Sequence, residues 1–163
     1  MSGIVKDLGP CQVWFNSASV GKTFGDVIFR DTGESRPVHE DEKGVTPVDS
    51  IRVGRNVEVE VPMTRQSLAE LAIVIPGASV DGTLMDVDNQ VGVSRYDAAL
   101  ELIIKPIVDN VVSASINWLT ISLASPEIDA EVVYNNEGQR VFKVIFKAFP
   151  DPTTGKIYSI GSA

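Results

Sequence analysis

The stretch Asn56–Val61 reads NVEVEV and places a valine at every second position. In a β-strand, residues two apart point to the same face, so Val57, Val59 and Val61 lie together and Glu58 and Glu60 lie opposite them. A strand of this kind covers a core on one side and meets water or a polar partner on the other. The pattern predicts a sheet with one buried face.

The residues that follow this strand predict one α-helix, at about Arg65–Ile75. Thr64 is a suitable N-cap, and Pro76-Gly77 is a suitable end. Apolar residues recur at intervals of three and four, which forms one stripe along the helix. They are Leu68, Leu71, Ala72 and Ile75. A single helix of this length cannot build a helical domain, so we expect it to pack across the sheet.

Upstream of the valine strand, the sequence predicts a long loop between two early strands. Gly25–Arg30 and Val45–Val53 look extended, and Gly54-Arg55 predicts a turn before the valine strand. Between the two extended segments lies Asp31–Gly44, DTGESRPVHEDEKG, which has five acidic residues. Long loops without secondary structure are uncommon in compact domains and are usually functional or disordered. This loop is therefore the first candidate for function.

The rest of the chain is dominated by strand signals separated by turns. The predicted strands are Cys11–Phe15, Ala98–Ile107, Pro126–Tyr134, Gln139–Ala148 and Lys156–Ile160, and the apolar segment Val111–Leu123 predicts one or two more. The sequence NNEG at Asn135–Gly138 predicts a hairpin turn. Many short strands and one helix predict an all-β dominated fold, a β-sandwich or barrel with one flanking helix, in a single domain over residues 1–163.

No motif in the chain supports catalysis, a cofactor or a metal. Gly21-Lys22-Thr23 resembles the end of a phosphate loop, but the earlier glycine is replaced by Asn16. Asp86 and Asp88 lack the glycine and the glutamate of a calcium loop. His39 is the only histidine, and a lone histidine is a poor metal site. We therefore predict no enzymatic activity and no cofactor.

The composition limits the classes of partner. The net charge of −8 disfavours tight binding to nucleic acid, which depends on lysine and arginine. No apolar run is long enough to span a membrane. Cys11, the only cysteine, is expected to be a small core residue. Trp14 and Trp118 are expected in the core or at a subunit interface, because both lie in apolar strand patterns.

The order of these segments resembles the major tail tube proteins of long-tailed, siphovirus-type bacteriophages. The acidic loop leads into GVTPVDSIRVG (Gly44–Gly54) and then VEVEVPMTRQSLAELAIVIPG (Val57–Gly77). The end of the chain is the most specific part: FKAFPD (Phe146–Asp151), a turn, and GKIYSIG (Gly155–Gly161). The resemblance implies a subunit that assembles into hexameric rings, which stack into a tail tube through which phage DNA passes without specific binding.

The resemblance also implies partners, a location and roles for named residues. The partners are further copies of the chain and other tail proteins, and the location is the virion tail, assembled in the host cytoplasm. The early loop is implied to be an intersubunit arm whose acidic residues contact basic residues of a neighbouring subunit. The candidate basic residues are Arg52, Arg55 and Arg65. The implied interface residues are Asp31, Glu34, Arg36, His39, Glu40, Asp41 and Glu42. Glu58 and Glu60 are candidates for the lumen or the stacking surface.

Three other functions are compatible with a β-rich domain of this kind. The chain could cap or terminate a tube, or form a secretion-type ring, and in either case closed rings would not polymerise. It could also be a monomeric β-sandwich that binds a carbohydrate or a protein. Because its Trp and Tyr residues fall mostly in apolar strand patterns, exposed sugar-stacking aromatics are not expected. An enzyme is the least favoured of the alternatives.

Overall fold

The computed structural model describes residues 10–64, 67–129, 132, 134, 137–138 and 140–162. The helix α1 is Leu68–Val74. The strands are β1 (Cys11–Phe15), β2 (Ala18–Ser19), β3 (Lys22–Thr23), β4 (Ile28–His39), β5 (Pro47–Thr64), β6 (Ala78–Asp81), β7 (Leu84–Val87), β8 (Leu100–Val108), β9 (Val111–Val112), β10 (Leu119–Asp129), β11 (Phe142–Ala148) and β12 (Tyr158–Ile160). The chain is therefore dominated by β-structure, as the sequence predicts.

Most of these strands belong to one antiparallel sheet. Its order is β2-β1-β8-β10-β11-β5-β3. Three more strands lie off this path: β4 pairs with β5, β9 pairs with β8, and β12 pairs with β10. Strands β6 and β7 form a separate two-stranded hairpin. The sheet therefore carries the main core, and the β6–β7 hairpin lies outside it.

The large sheet is curled into a barrel-like layer. Its two ends, β2 and β3, are separated in the chain by only Val20 and Gly21, so they cannot be far apart. Phe15 in β1 and Phe146 in β11 are three strand positions apart, which is about 14 Å in a flat sheet. Their ring centroids are 5.1 Å apart. The sheet must therefore bend around the core for these rings to meet.

The valine strand has the predicted orientation. Val57, Val59 and Val61 are at most 1% exposed, whereas Glu58 and Glu60 are only partly covered. The other buried apolar side chains of this core are Val13, Phe15, Val20, Met63, Val74, Leu102, Ile104, Ile121, Ala124, Val144 and Phe146. Cys11 packs against the same cluster, and burial raises the pKa of its thiol. One contiguous core thus joins the strands and α1.

The helix is shorter than predicted and has a different N-cap. It begins after Ser67, whose hydroxyl accepts a hydrogen bond from the Glu70 N–H while the Glu70 carboxylate accepts one from the Ser67 N–H. This reciprocal capping box satisfies two backbone donors at the start of the helix. The prediction that Thr64 is the N-cap is wrong: Thr64 ends β5, and its hydroxyl donates to the Arg140 carbonyl.

The predicted apolar stripe of the helix is only partly correct. Val74, outside the predicted stripe, is fully buried, while Leu68 is 37% exposed. Ile75 packs against the core, as predicted. A helix of two turns touches the sheet mainly at one end, so its position on the sheet, and not the full stripe, decides which residues are buried. The end at Pro76-Gly77 is confirmed, with Gly77 at φ +79.

Strand boundaries in the second half differ from the prediction. β10 runs without interruption from Leu119 to Asp129, although the sequence predicts two strands that meet at Pro126. The predicted turn at Asn135–Gly138 lies largely outside the described residues. In β11 the predicted inward residues are confirmed: Val144 and Phe146 are buried, and Phe142 and Ala148 pack against the core.

A β-hairpin arm as candidate assembly surface

The predicted loop Asp31–Gly44 is mostly β-strand, and this is the main correction to the sequence analysis. β4 continues through His39, and β5 runs unbroken through the predicted turn at Gly54-Arg55. The two strands pair from Ile28↔Glu60 out to His39↔Pro47. The sequence does not reveal this because a hairpin without a buried face shows no apolar alternation. Only the tip, around Asp41–Lys43, leaves the strands.

The outer part of this hairpin projects from the domain and is here called the arm, residues 32–56. No residue in it is buried. Its pairs run from Thr32↔Asn56 to His39↔Pro47, which at about 3.4 Å per residue is roughly 27 Å. Val48, Ile51 and Val53 on the arm are each more than 40% exposed. The arm is therefore a long, thin surface with exposed apolar side chains.

Two irregularities decide which side chains share a face of the arm. The register shifts between Glu34 and Ser35 and again between Val38 and His39. Each shift adds a residue to β5, and an extra residue re-aims the side chains that follow. As a result, Ser35 lies across from Arg52, while Arg36 lies across from Ile51. Arg52 and Arg36 therefore point to opposite faces of the arm.

The base of the arm is held by a polar cluster on the side that continues the core. Arg55 Nε lies 3.1 Å from Asp31 Oδ1, and Tyr158 Oη donates a hydrogen bond of 2.7 Å to Asp31 Oδ2. The Tyr158 ring also meets the Phe29 ring edge-on at 5.0 Å. The hydrogen bond to Asp31 raises the pKa of Tyr158. Strand β12 thus fastens the base of the arm to the domain.

Four of the predicted interface residues lie at the tip of the arm, and Glu34 and Arg36 lie along its strand β4. Glu40, Asp41 and Glu42 are exposed around a short 3₁₀ turn. Gly44 closes this turn at φ +64, a conformation that glycine adopts without strain. His39 is also exposed, at the last pair of the hairpin. These residues lie together at the end of the arm, and Asp31 lies apart from them at its base.

The predicted basic partners of the acidic cluster have different positions. Arg55 is bound to Asp31 within the same chain. Arg65 lies outside the described residues. Arg52 is on the arm, and no described residue forms an ion pair with its guanidinium. Of the two that the structure describes, Arg52 is the cation left for a second molecule.

Glu58 and Glu60 belong to a network of paired charges on the outer face of the sheet. Arg30 lies 3.5 Å from Glu58 and 3.1 Å from Glu60, and Lys143 Nζ lies 2.9 Å from Glu60. The hydrogen bond from Lys143, followed by that from Arg30, lowers the pKa of Glu60. Lys147 pairs with Glu127 farther along the sheet. This face therefore has compensated charge and is not a field of free carboxylates.

The two tryptophans flank a lysine on the outside of β1 and β8. The Lys105 ammonium lies 3.9 Å from the centroid of the Trp14 ring and 4.3 Å from that of Trp118. Both rings are half-buried. Of the two predicted positions, the core is therefore wrong, and a subunit interface stays a prediction. A cation between two rings is stabilised by both ring faces. The lysine is thereby held on the sheet and not presented to a partner.

Across the described residues, no group of three or more His, Cys, Asp or Glu side chains could hold a metal ion. No helix in the described part of the chain is long and apolar enough to cross a membrane. No protein-family profile matches this chain, and no curated protein matches it at a significant level.

Proposed function

We propose that this chain is a structural subunit that assembles with copies of itself into rings, and that the rings stack into a tube like the phage tail tubes whose sequence pattern it resembles. The observation that carries the proposal is the arm: a long hairpin without a buried residue that extends from an otherwise well-packed domain. In this proposal the location is the virion tail, and the partners are further copies and other tail proteins.

The physical argument concerns the stability of the arm. A two-stranded hairpin is marginally stable in water when nothing covers either face. Along the arm, β4 and β5 pair only with each other among the described strands, so each has an open edge. Open edges pair readily with other chains. An arm that carries Ile51 and Val53 on such strands is stabilised when a second copy covers it.

The type of contact between subunits depends on which surface receives the arm. An arm that docks on a different surface of the next copy makes a heterologous contact, which closes into a ring or continues as a filament. Hexameric closure and stacking come from the resemblance alone. The net charge of −8 suits a passage for DNA, because an acidic wall does not bind phosphates. The paired charges around Glu58 and Glu60 make that face a weaker candidate for the lumen than the acidic tip.

Electron microscopy with light scattering tests the proposal. Negative-stain images of the purified chain should show rings or tubes. In a variant with residues 35–53 replaced by Asn-Gly, light scattering should show monomers, because five pairs of the arm are removed. A thermal melt at a concentration too low for assembly is the folding control. Its midpoint should match that of the full-length chain, because none of the deleted residues is buried.

Three results would contradict parts of this proposal. A full-length chain that stays monomeric at high concentration would refute self-assembly. An assembled mass that is unchanged in the shortened variant would exclude the arm as the assembly surface. Closed rings that never stack, even with preformed tubes as seeds, would favour a tube-capping or terminator protein over the tube subunit.

A further inference from the structure

A second exposed apolar surface lies on the β6–β7 hairpin and the segment after it, residues 78–93, here called the docking hairpin. The exposed apolar residues are Val80, Leu84, Val87, Val91 and Val93. Leu84 is 59% exposed and Val91 is 84% exposed. By the register of the hairpin, Val80 and Val87 lie on one face and Leu84 on the other, so both faces expose apolar side chains. Exposed apolar surface on a soluble domain commonly marks an interaction site. Strands β6 and β7 pair only with each other in the described structure, so this hairpin also has open edges.

The docking hairpin is acidic throughout. It contains Asp81, Asp86 and Asp88 and no lysine or arginine. All three aspartates are exposed. Leu84 pairs with Asp81, and Asp86 lies two positions along the same face. A face with two exposed carboxylates is complementary to a partner that offers a positive charge.

Few cations of this chain remain for such a partner. Among the described side chains, Arg30, Arg55, Arg95, Lys143 and Lys147 form ion pairs. Lys105 and Arg140 lie over aromatic rings. Four described cations form no ion pair and lie over no aromatic ring: Arg36, Lys43 and Arg52 on the arm, and Lys156 in the turn before β12. Most of the spare positive charge among the described residues is therefore on the arm.

The two faces of the arm differ in charge. Arg36 shares its face with Glu34 and Asp49, which reduce its effect on a partner. Arg52 lies on the other face, across from Ser35. Its guanidinium lies beside Gly33, 3.9 Å from the position that a Cβ atom on Gly33 would occupy. The nearest carboxylate on that face, Asp31, is already bound to Arg55. The Arg52 face is therefore flat and positively charged.

We infer that the arm of one copy docks with its Arg52 face on the acidic docking hairpin of a second copy, with Arg52 bound to Asp86 or Asp81. This inference rests on the proposed function and names the surface that receives the arm. Within one copy, no hydrogen bond or ion pair joins the arm to the docking hairpin in the described structure. The contact joins two different surfaces, so each copy both gives an arm and receives one.

A charge exchange tests this contact. Arg52→Glu and Asp86→Arg are made separately, and assembly is followed by light scattering and negative-stain microscopy. Each variant alone places two like charges at the contact, so the concentration for half-assembly should rise at least about tenfold. An equal mixture should assemble again. In the mixture, the Glu of one variant meets the Arg of the other, and the unchanged Arg52 of the second variant meets the unchanged Asp86 of the first.

Two matched variants serve as controls. Arg36→Glu makes the same charge change on the opposite face of the arm, and Asp26→Arg makes it at an acidic residue outside the docking hairpin. Both should shift the half-assembly concentration by less than about threefold, as expected for exposed charges outside a contact. At a concentration too low for assembly, the melting midpoints of all variants should match the wild type, because each replaced side chain is exposed.

The outcomes separate this inference from the proposed function. If the wild-type chain assembles and the mixture restores what each variant has lost, the inference is supported. If the wild-type chain assembles but the single variants also assemble, or the mixture stays unassembled, the arm docks elsewhere and only the inference is overturned. If the wild-type chain never assembles, the proposed function and this inference are both overturned.

Discussion

The contact between Phe15 and Phe146 gives a direct measure of how strongly the sheet is curled. The two rings lie in β1 and β11, with centroids 5.1 Å apart and planes tilted by 50°. Both side chains are at most 2% exposed. Phe15→Leu and Phe146→Leu, made singly and together, form a double-mutant cycle for this contact. Each single change should lower the free energy of unfolding by about 0.5–3 kcal/mol, as is usual for core substitutions.

The informative quantity is the coupling free energy between the two changes. Aromatic pairs at this separation are worth about 0.5–1.5 kcal/mol beyond the area they bury, so the double variant should lose less than the sum of the single variants by about that amount. In a flat sheet the two positions would be roughly 14 Å apart. At that separation the effects would add to within about 0.3–0.5 kcal/mol.

Urea denaturation, followed by the fluorescence of Trp14 and Trp118, measures these free energies. The measurement is best made on the variant with the shortened arm, so that assembly does not contribute to the apparent stability. Phe15→Leu combined with Phe149→Leu is the control, since the Phe149 ring pairs with Tyr96 and the Phe15 ring pairs with Phe146. If the losses in free energy of unfolding caused by Phe15→Leu and Phe146→Leu are additive, as those of the control pair should be, the curled sheet is refuted.

Two further predictions concern the backbone and the surface charges. Gly77→Ala should lower the free energy of unfolding by about 1–2 kcal/mol, because alanine is strained in the left-handed conformation of this residue. A second cost is steric, since the added methyl group would lie 2.8 Å from the Asp88 carbonyl oxygen. Gly54→Ala, in open space on the arm, should be nearly neutral in the same thermal melts, and equal effects would contradict this account. The lowered pKa of Glu60 contributes stability that is present above the ordinary pKa of glutamate and is lost as the pH falls through the folded pKa. The stability difference between wild type and Glu60→Gln should therefore narrow in acid, and a constant difference from neutral pH to about pH 3, below the ordinary glutamate pKa, would count against the Lys143 and Arg30 pairing.

Where one face of a strand is buried, the sequence predicts the structure well. The valine strand and β11 have alternating side chains because a sheet with one covered face requires it, and both were predicted correctly. The end of the helix was also readable, since Pro76-Gly77 cannot continue it. Its start was not, because Thr64 and Ser67 are both acceptable N-caps, and only the burial of Thr64 in β5 decides between them.

The candidate site shows the limit of the same reasoning. The length and charge of residues 31–44 make them a candidate site, but the predicted loop is mostly β-strand. In the arm, pairing between β4 and β5 determines the conformation, and neither strand has a buried face that would leave an apolar pattern. The sequence analysis predicts no strand in the docking hairpin. Asp81-Gly82 is a turn signal between β6 and β7, but the four-residue strands on either side are too short to show a clear alternation.

The sequence alone thus determined the class of the fold, the buried face of its central strand and the segment from which the arm is built. These depend on local periodicity and turn chemistry, which neighbouring residues carry. Only the tertiary structure decided that the sheet curls, that Asp31 and Arg55 are already paired, and that Arg52 forms no ion pair with any described residue. Those facts depend on register and on contacts between distant residues, and a shift of one residue in β5 would exchange the faces of the arm.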